Sequence, residues 1–164
     1  MSKLKIFIVA AVAAVGLLAW QLSSPARTAP QVSFTNLQGK TFTTEDLRDK
    51  VVMVKFWATS CVTCIQQMPD TAATYTALAD QGYDVIAVAM DYDPIDYVRN
   101  YAETRELPFN VVHDADGKIA AAFGNVQLTP TAFLIDKDGN IVKRYLGNYN
   151  KEEFVKTVQR ALAG

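Results

Sequence analysis

Cys61 and Cys64 are the only cysteines in the 164-residue chain, and two residues separate them. The run before them, Val51 to Trp57 (VVMVKFW), is almost unbroken apolar sequence of strand length, which suits a parallel strand covered on both faces. Ala58, Thr59 and Ser60 then make a turn, and Cys61 to Cys64 fall on the first turn of a following helix. The first amides of a helix lack intrahelical partners, and the helix dipole places partial positive charge there. A sulfur at that point is stabilised as thiolate, the nucleophilic form. Cys64, three residues on, can then attack a mixed disulfide formed at Cys61. The spacing therefore predicts thiol–disulfide exchange, with Cys61 as the exposed attacking thiol and Cys64 as the buried resolving one.

Two plainer readings compete. A CxxC is also half of a zinc site, but a closed site takes four ligands, and the chain offers only these two cysteines and a single histidine, His113. Carboxylates or a partner would have to complete it. A structural disulfide would close a very short loop and gain little stability.

The rest of the chain must hold this junction. Half of the residues are apolar, enough for one domain with its own core. Without residues 1–29, 13 basic and 17 acidic residues remain, a net charge of −4 with no basic patch for nucleic acid. A hairpin is expected from Val32–Phe34 and Thr41–Thr43, then a capped helical turn at Thr44–Leu47. After the central strand, the CxxC helix should run to Asp80 and stop at Gly82. Asp84 to Met90 reads as a second buried strand, and Asp93-Pro94 as the start of a helix with Ile95, Val98, Tyr101 and Ala102 on its apolar side. A short extended piece (109–112), a DADG turn and a short helix (119–123) follow. Ala132–Asp136 and Asn140–Leu146 form an antiparallel pair around a DKDG turn, and Asn150 opens the last helix through a capping box with Glu153. This order predicts a layered α/β domain over 31–164.

Residues 1–22 read as a targeting segment. Lys3 and Lys5 precede an uncharged apolar run from Ile6 to Trp20, which orients the following chain across a membrane. As a helix that run spans about 22 Å, shorter than the roughly 30 Å hydrocarbon layer. An uncleaved anchor is the expectation, with Ser24-Pro25-Ala26 as an alternative cleavage site; residues 23–30 are a polar linker. The domain is then expected on the periplasmic side of an inner membrane.

WATSCVTC after a buried strand, TPT before a strand–turn–strand, and the membrane-targeting start together resemble the thioredoxin superfamily. More narrowly they resemble its membrane-tethered branch, the TlpA/ResA-like thiol–disulfide oxidoreductases. The N-terminal hairpin, the helical insert from Pro94 to Glu106 and FLIDKDGNIV fit that branch. The resemblance implies a thioredoxin-like fold, a central mixed sheet flanked by helices, and Cys61 and Cys64 as the redox pair. It implies that Pro130 is cis and faces the disulfide, with the Thr129 backbone turned towards a substrate strand; apart from the resemblance, the aromatic Trp57 is expected to border a peptide groove. It implies no cofactor. The partners it implies are disulfide-containing extracytoplasmic proteins, such as an apocytochrome c, and a membrane thiol donor of the DsbD/CcdA type.

The sequence departs from that pattern in places. Lys55 stands where thioredoxins carry a buried acid and many TlpA-like proteins an asparagine. A buried lysine is costly unless paired, or its pKa falls. Three readings are open: its charge favours the cysteine thiolates, its neutral amine accepts the Cys64 proton, or its head snorkels to water. Gln67 stands where ResA-type relatives often place a glutamate, and it cannot titrate. Ser60 replaces a common tryptophan, and Val62-Thr63 lacks the usual proline. His113 is read as a turn histidine, against a third metal ligand in a copper chaperone; a peroxiredoxin-like peroxidase is weakened because no PxxxTxxC precedes the cysteine. Among Phe56, Trp57, Phe109 and Phe133, core packing is favoured for Phe56 and Phe133.

Overall fold

A computed structural model describes residues 27–164. The expected targeting segment and the start of the linker lie outside them. Among the described residues no helix is long and apolar enough to cross a membrane.

Among the described residues, seven strands and four α-helices follow one another along the chain. Strands β1 (Ser33–Thr35) and β2 (Thr41–Thr43) form the hairpin, and β3 (Val51–Trp57) is the central strand. Helix α1 (Val62–Leu78) follows, then β4 (Tyr83–Ala89), α2 (Ile95–Thr104), β5 (Asn110–His113) and α3 (Lys118–Ala122). Strands β6 (Thr131–Ile135) and β7 (Ile141–Leu146) and helix α4 (Lys151–Ala163) complete the domain. The main sheet has the order β5-β4-β3-β6-β7, with β3, β4 and β5 parallel and β6 and β7 antiparallel to their neighbours.

Every residue of β3 is buried, which is why its sequence shows no alternation. Successive side chains still point to opposite faces. Val51, Met53 and Trp57 enter one core with Cys64 and Met68 of α1, Val98 of α2 and Phe154 and Val158 of α4. Val52, Val54 and Phe56 enter the other, with Phe34 of the hairpin and Ile119 and Phe123 around α3.

Three expectations need correction. The linker is shorter than residues 23–30: Ile141 N–H donates to Arg27 C=O, Ala29 N–H donates to Gly139 C=O, and Ala29 is buried. The ordered domain thus includes Arg27 to Pro30, because these residues add a pairing segment beside the β6–β7 turn. Thr44 does not cap its helical turn. Its hydroxyl donates to Pro30 C=O at 2.8 Å, while Asp46 accepts from the Thr43 amide and hydroxyl. Asp93 does not open α2: Pro94 holds the cap position without a side-chain bond, and the Asp93 carboxylate is used elsewhere.

Candidate active site at the CxxC helix

The carboxyl ends of the parallel strands build the site. Cys61 is the N-cap of α1, with extended backbone dihedrals, and its Sγ accepts the Cys64 N–H at 3.2 Å. Sulfur therefore takes the place that a capping oxygen usually fills. Cys61 and Cys64 are joined as a disulfide, with Cα atoms 5.2 Å apart. Cys61 is half-buried, whereas Cys64 is completely buried. An outside disulfide can reach only the first sulfur.

Asp93, in the loop between β4 and α2, fixes the turn that presents Cys61. It is 2% exposed, and its carboxylate accepts the Thr59 N–H at 2.6 Å and the Thr59 hydroxyl at 2.5 Å. His113, half-buried at the end of β5, donates from Nε2 to the Asp93 carbonyl at 2.9 Å. His113 thus braces a loop, rather than sitting free on a surface turn. Among the described residues no group of three or more His, Cys, Asp or Glu side chains is placed to hold a metal. Sequence reasoning missed Asp93, since an acid before proline reads as a helix start.

The second wall comes from the loop before β6. Phe56 pairs with Thr131 in the antiparallel ladder, so the residues just before Thr131 lie beside those just after Phe56. The Thr129–Pro130 peptide bond is cis. Thr131 Oγ1 donates to Leu128 C=O at 2.6 Å, and Gly147 N–H donates to Pro130 C=O at 2.9 Å, which pins the loop from both sides. Among the described residues neither the N–H nor the C=O of Thr129 has a hydrogen-bond partner. Its hydroxyl meets the Tyr92 hydroxyl at 3.3 Å.

Trp57 does not border a groove. It is 0% exposed, packs on the Tyr101 ring with centroids 5.3 Å apart, and belongs to the core. Phe56, Phe109 and Phe133 are core residues as well. Alternation explains Trp57: it shares the inner face of β3 with Met53, beneath α1. The apolar surface around the sulfurs is supplied instead by Val62, Tyr92 and Leu128, which are 70%, 56% and 63% exposed. Val62 follows Cys61 directly and Leu128 precedes Thr129. A groove of about 500 Å³ lined by Thr59, Ser60, Tyr92, Tyr97 and Tyr101 runs from the turn along α2.

Lys55 does not snorkel. It is 0% exposed, and its Nζ donates to Gln67 Oε1 at 3.0 Å and to Thr71 Oγ1 at 3.1 Å. Its ladder neighbours are Ala87 and Ala132, whose small side chains leave room for it beneath α1. Burial pulls its pKa down to about 7, against a weaker opposing pull from the Asp70 carboxylate. The structure thus brings Lys55 of β3 against Gln67 of the helix that carries the cysteines.

Residues 25–162 match the Redoxin family. The thiol–disulfide oxidoreductase ResA of Bacillus thuringiensis subsp. konkukian is 33% identical over 132 residues, covering 80% of this chain and 75% of that one. ResA of Bacillus subtilis is 33% identical over 119 residues, covering 73% and 65%. Among solved structures, a protein from Neisseria meningitidis assigned to the thioredoxins superposes with a TM-score of 0.79 at 37% identity, over 85% of this chain and 92% of that one. A thiol:disulfide interchange protein of the thioredoxin family from Chlorobium tepidum does so with 0.78 at 28% identity, over 85% and 99%.

Proposed function

The chain belongs to the Redoxin family and is a ResA/TlpA-like thiol–disulfide oxidoreductase of thioredoxin fold; from that premise we propose that it works outside the cytoplasm as a reductase of partner-protein disulfides. The observation that carries this reading is the inequality of the two sulfurs. Cys61 stands half-exposed at a helix N-terminus, and Cys64 is sealed behind it.

In the reduced protein the Cys61 thiolate attacks one sulfur of a partner disulfide. A Cys61–partner bond forms, and the other partner sulfur leaves as thiolate. Cys64 then attacks Cys61 Sγ, the bond to the partner breaks, and the partner leaves with both sulfurs reduced. Two electrons have passed from the cysteine pair to the partner. Thr129, whose backbone is unpaired among the described residues, takes up an extended segment of the partner through strand-type hydrogen bonds. Val62, Tyr92 and Leu128 cover the apolar side chains that flank the partner cysteine.

The lysine-flanked apolar segment at residues 3–20 supports a tether in the inner membrane with the domain on the periplasmic side. Electrons would then come from a membrane thiol carrier of the DsbD/CcdA type. An apocytochrome c or another periplasmic protein would be the substrate. Equilibration of the Cys61–Cys64 couple with a glutathione buffer tests the direction. A potential near about −270 mV is expected, and one near about −120 mV would make the protein an oxidase instead.

A further inference from the structure

The exchange steps assign no role to the buried Lys55. Lys55 lies on the face of β3 that packs under α1, and its amine reaches two residues of that helix, Gln67 and Thr71. Cys64 belongs to the same inward stripe of α1, three and seven residues earlier. With a rise of 1.5 Å per residue, the amine lies roughly 5–10 Å along the helix from Cys64.

Hydrogen-bond accounting shows which N–H bonds the amine uses. Gln67 Nε2 donates to Gly147 C=O at 3.2 Å and to Asn148 Oδ1 at 3.0 Å, so Gln67 Oε1 must be the atom facing Lys55. Thr71 gives its own hydroxyl proton to Gln67 C=O at 3.0 Å, so its oxygen accepts from Lys55. Both contacts use N–H bonds of Lys55. A neutral amine has two and keeps a free lone pair. An ammonium has a third, which among the described residues would face only the Tyr149 ring, 5.7 Å from the amine to the centroid. The neutral amine therefore meets both contacts with no N–H left over, whereas the ammonium has the Tyr149 ring for its third, and the lowered pKa of about 7 puts the neutral form within reach near pH 7.

We propose that Lys55 is the charge partner of Cys64: neutral while the disulfide is closed, it becomes an ammonium when Cys64 ionises to resolve the mixed disulfide. This rests on the exchange reading above. Cys64–SH and Lys55–NH₂ become Cys64–S⁻ and Lys55–NH₃⁺. The thiolate attacks Cys61 Sγ, the Cys61–partner bond breaks, and the departing partner thiolate and solvent take up the proton that Lys55 releases. No further oxidant or reductant is needed. Lys55 does not touch the reacting sulfurs, so it is a positioning residue that acts through its field.

Few other charges face the amine. Its sheet neighbours are alanines. On α1 the nearest acid is Asp70, which is exposed and pairs with Lys151 of α4 at 2.5 Å. The β7 end and the loop after it contribute Tyr145 and Tyr149, and β4 contributes Tyr83; burial raises the pKa of Tyr149 to about 12 and lifts that of Tyr83 well above its ordinary value. Tyr149 and Tyr83 stay neutral near pH 7, so Lys55 is the switching charge. Gln67 also bonds the Gly147 carbonyl, and the Gly147 N–H donates to Pro130 C=O.

The reduced protein, mixed with dithionitrobenzoate, releases two nitrothiobenzoate groups in turn. The first reports attack by Cys61 and the second resolution by Cys64. In Lys55→Met the second release should slow about tenfold at pH 7, and its pH midpoint should rise by about one unit or more, while the first release is unchanged. Lys55→Gln keeps a donor for Gln67 without the charge and should show the same defect. A second release with the wild-type pH profile in Lys55→Met, or its recovery in Lys55→Gln, would overturn the proposal. Loss of the first release in the wild-type protein would overturn the exchange reading itself.

Discussion

A lysine sealed in the middle of a core strand makes stability depend on pH in a definite direction. The folded chain holds Lys55 at a pKa of about 7, against an ordinary value of 10.5. Between those values the unfolded chain binds a proton that the folded chain lacks, so the stability contribution of Lys55 rises with pH; below about pH 7 its cost is full and constant. The slope is about 1.4 kcal/mol per pH unit inside the window. Lys55→Met removes the titration and should make the oxidised protein more stable at pH 7. That advantage should shrink by roughly 2–3 kcal/mol when urea unfolding is repeated at pH 9. An advantage that does not change with pH would show that Lys55 is already charged in the folded protein. At this same scale Cys61 and Cys64 were plain in the sequence, because type and spacing alone define their chemistry. Asp93 was not, because its work is a tertiary clamp on Thr59, 34 residues earlier.

The elements repeat this division between local and distant causes. Cys61 caps α1, and Asn150 caps α4 by accepting the Glu153 N–H at 2.9 Å. Both caps follow from neighbours three residues apart and could be read from the sequence. The attachment of the hairpin could not. Asn36 is 9% exposed, and its Oδ1 accepts from the Gln38 and Lys40 amides while its Nδ2 donates to Asn110 Oδ1 at 2.9 Å. It also bridges to Val112, and Leu37 N–H donates to Val111 C=O at 2.9 Å, so the hairpin extends the β5 edge of the main sheet through backbone pairing and the Asn36 side chain together. Asn36→Ala leaves two amides and the Asn110 side chain without that partner and should cost about 2–3 kcal/mol in thermal or urea unfolding. The first nitrothiobenzoate release should be unaffected, since the hairpin lies on the other side of β3 from α1. A loss below about 0.5 kcal/mol would mean that water replaces the bonds at no cost.

At the scale of the whole molecule, strand order makes the site. With β3 between β4 and β6, the CxxC turn, the Asp93 loop and the cis Thr129–Pro130 loop converge at one end of the sheet. That convergence is long-range, and the residues alone implied it only through their resemblance to a known fold. Local pattern gave the strands and helices to within a few residues, yet it put Trp57 in a substrate groove, when the two-sided burial of β3 places it in the core. Val62, Tyr92 and Leu128 escaped notice because exposed apolar residues look alike in a sequence until the fold gathers them around a sulfur. The central claim concerns the unequal sulfurs, and trapping tests it most directly. Each single cysteine variant is incubated with a disulfide-bonded partner protein and run without reductant. Cys64→Ser should accumulate a mixed disulfide through Cys61, and Cys61→Ser should form none and reduce nothing. Continued disulfide turnover by Cys61→Ser would contradict the account.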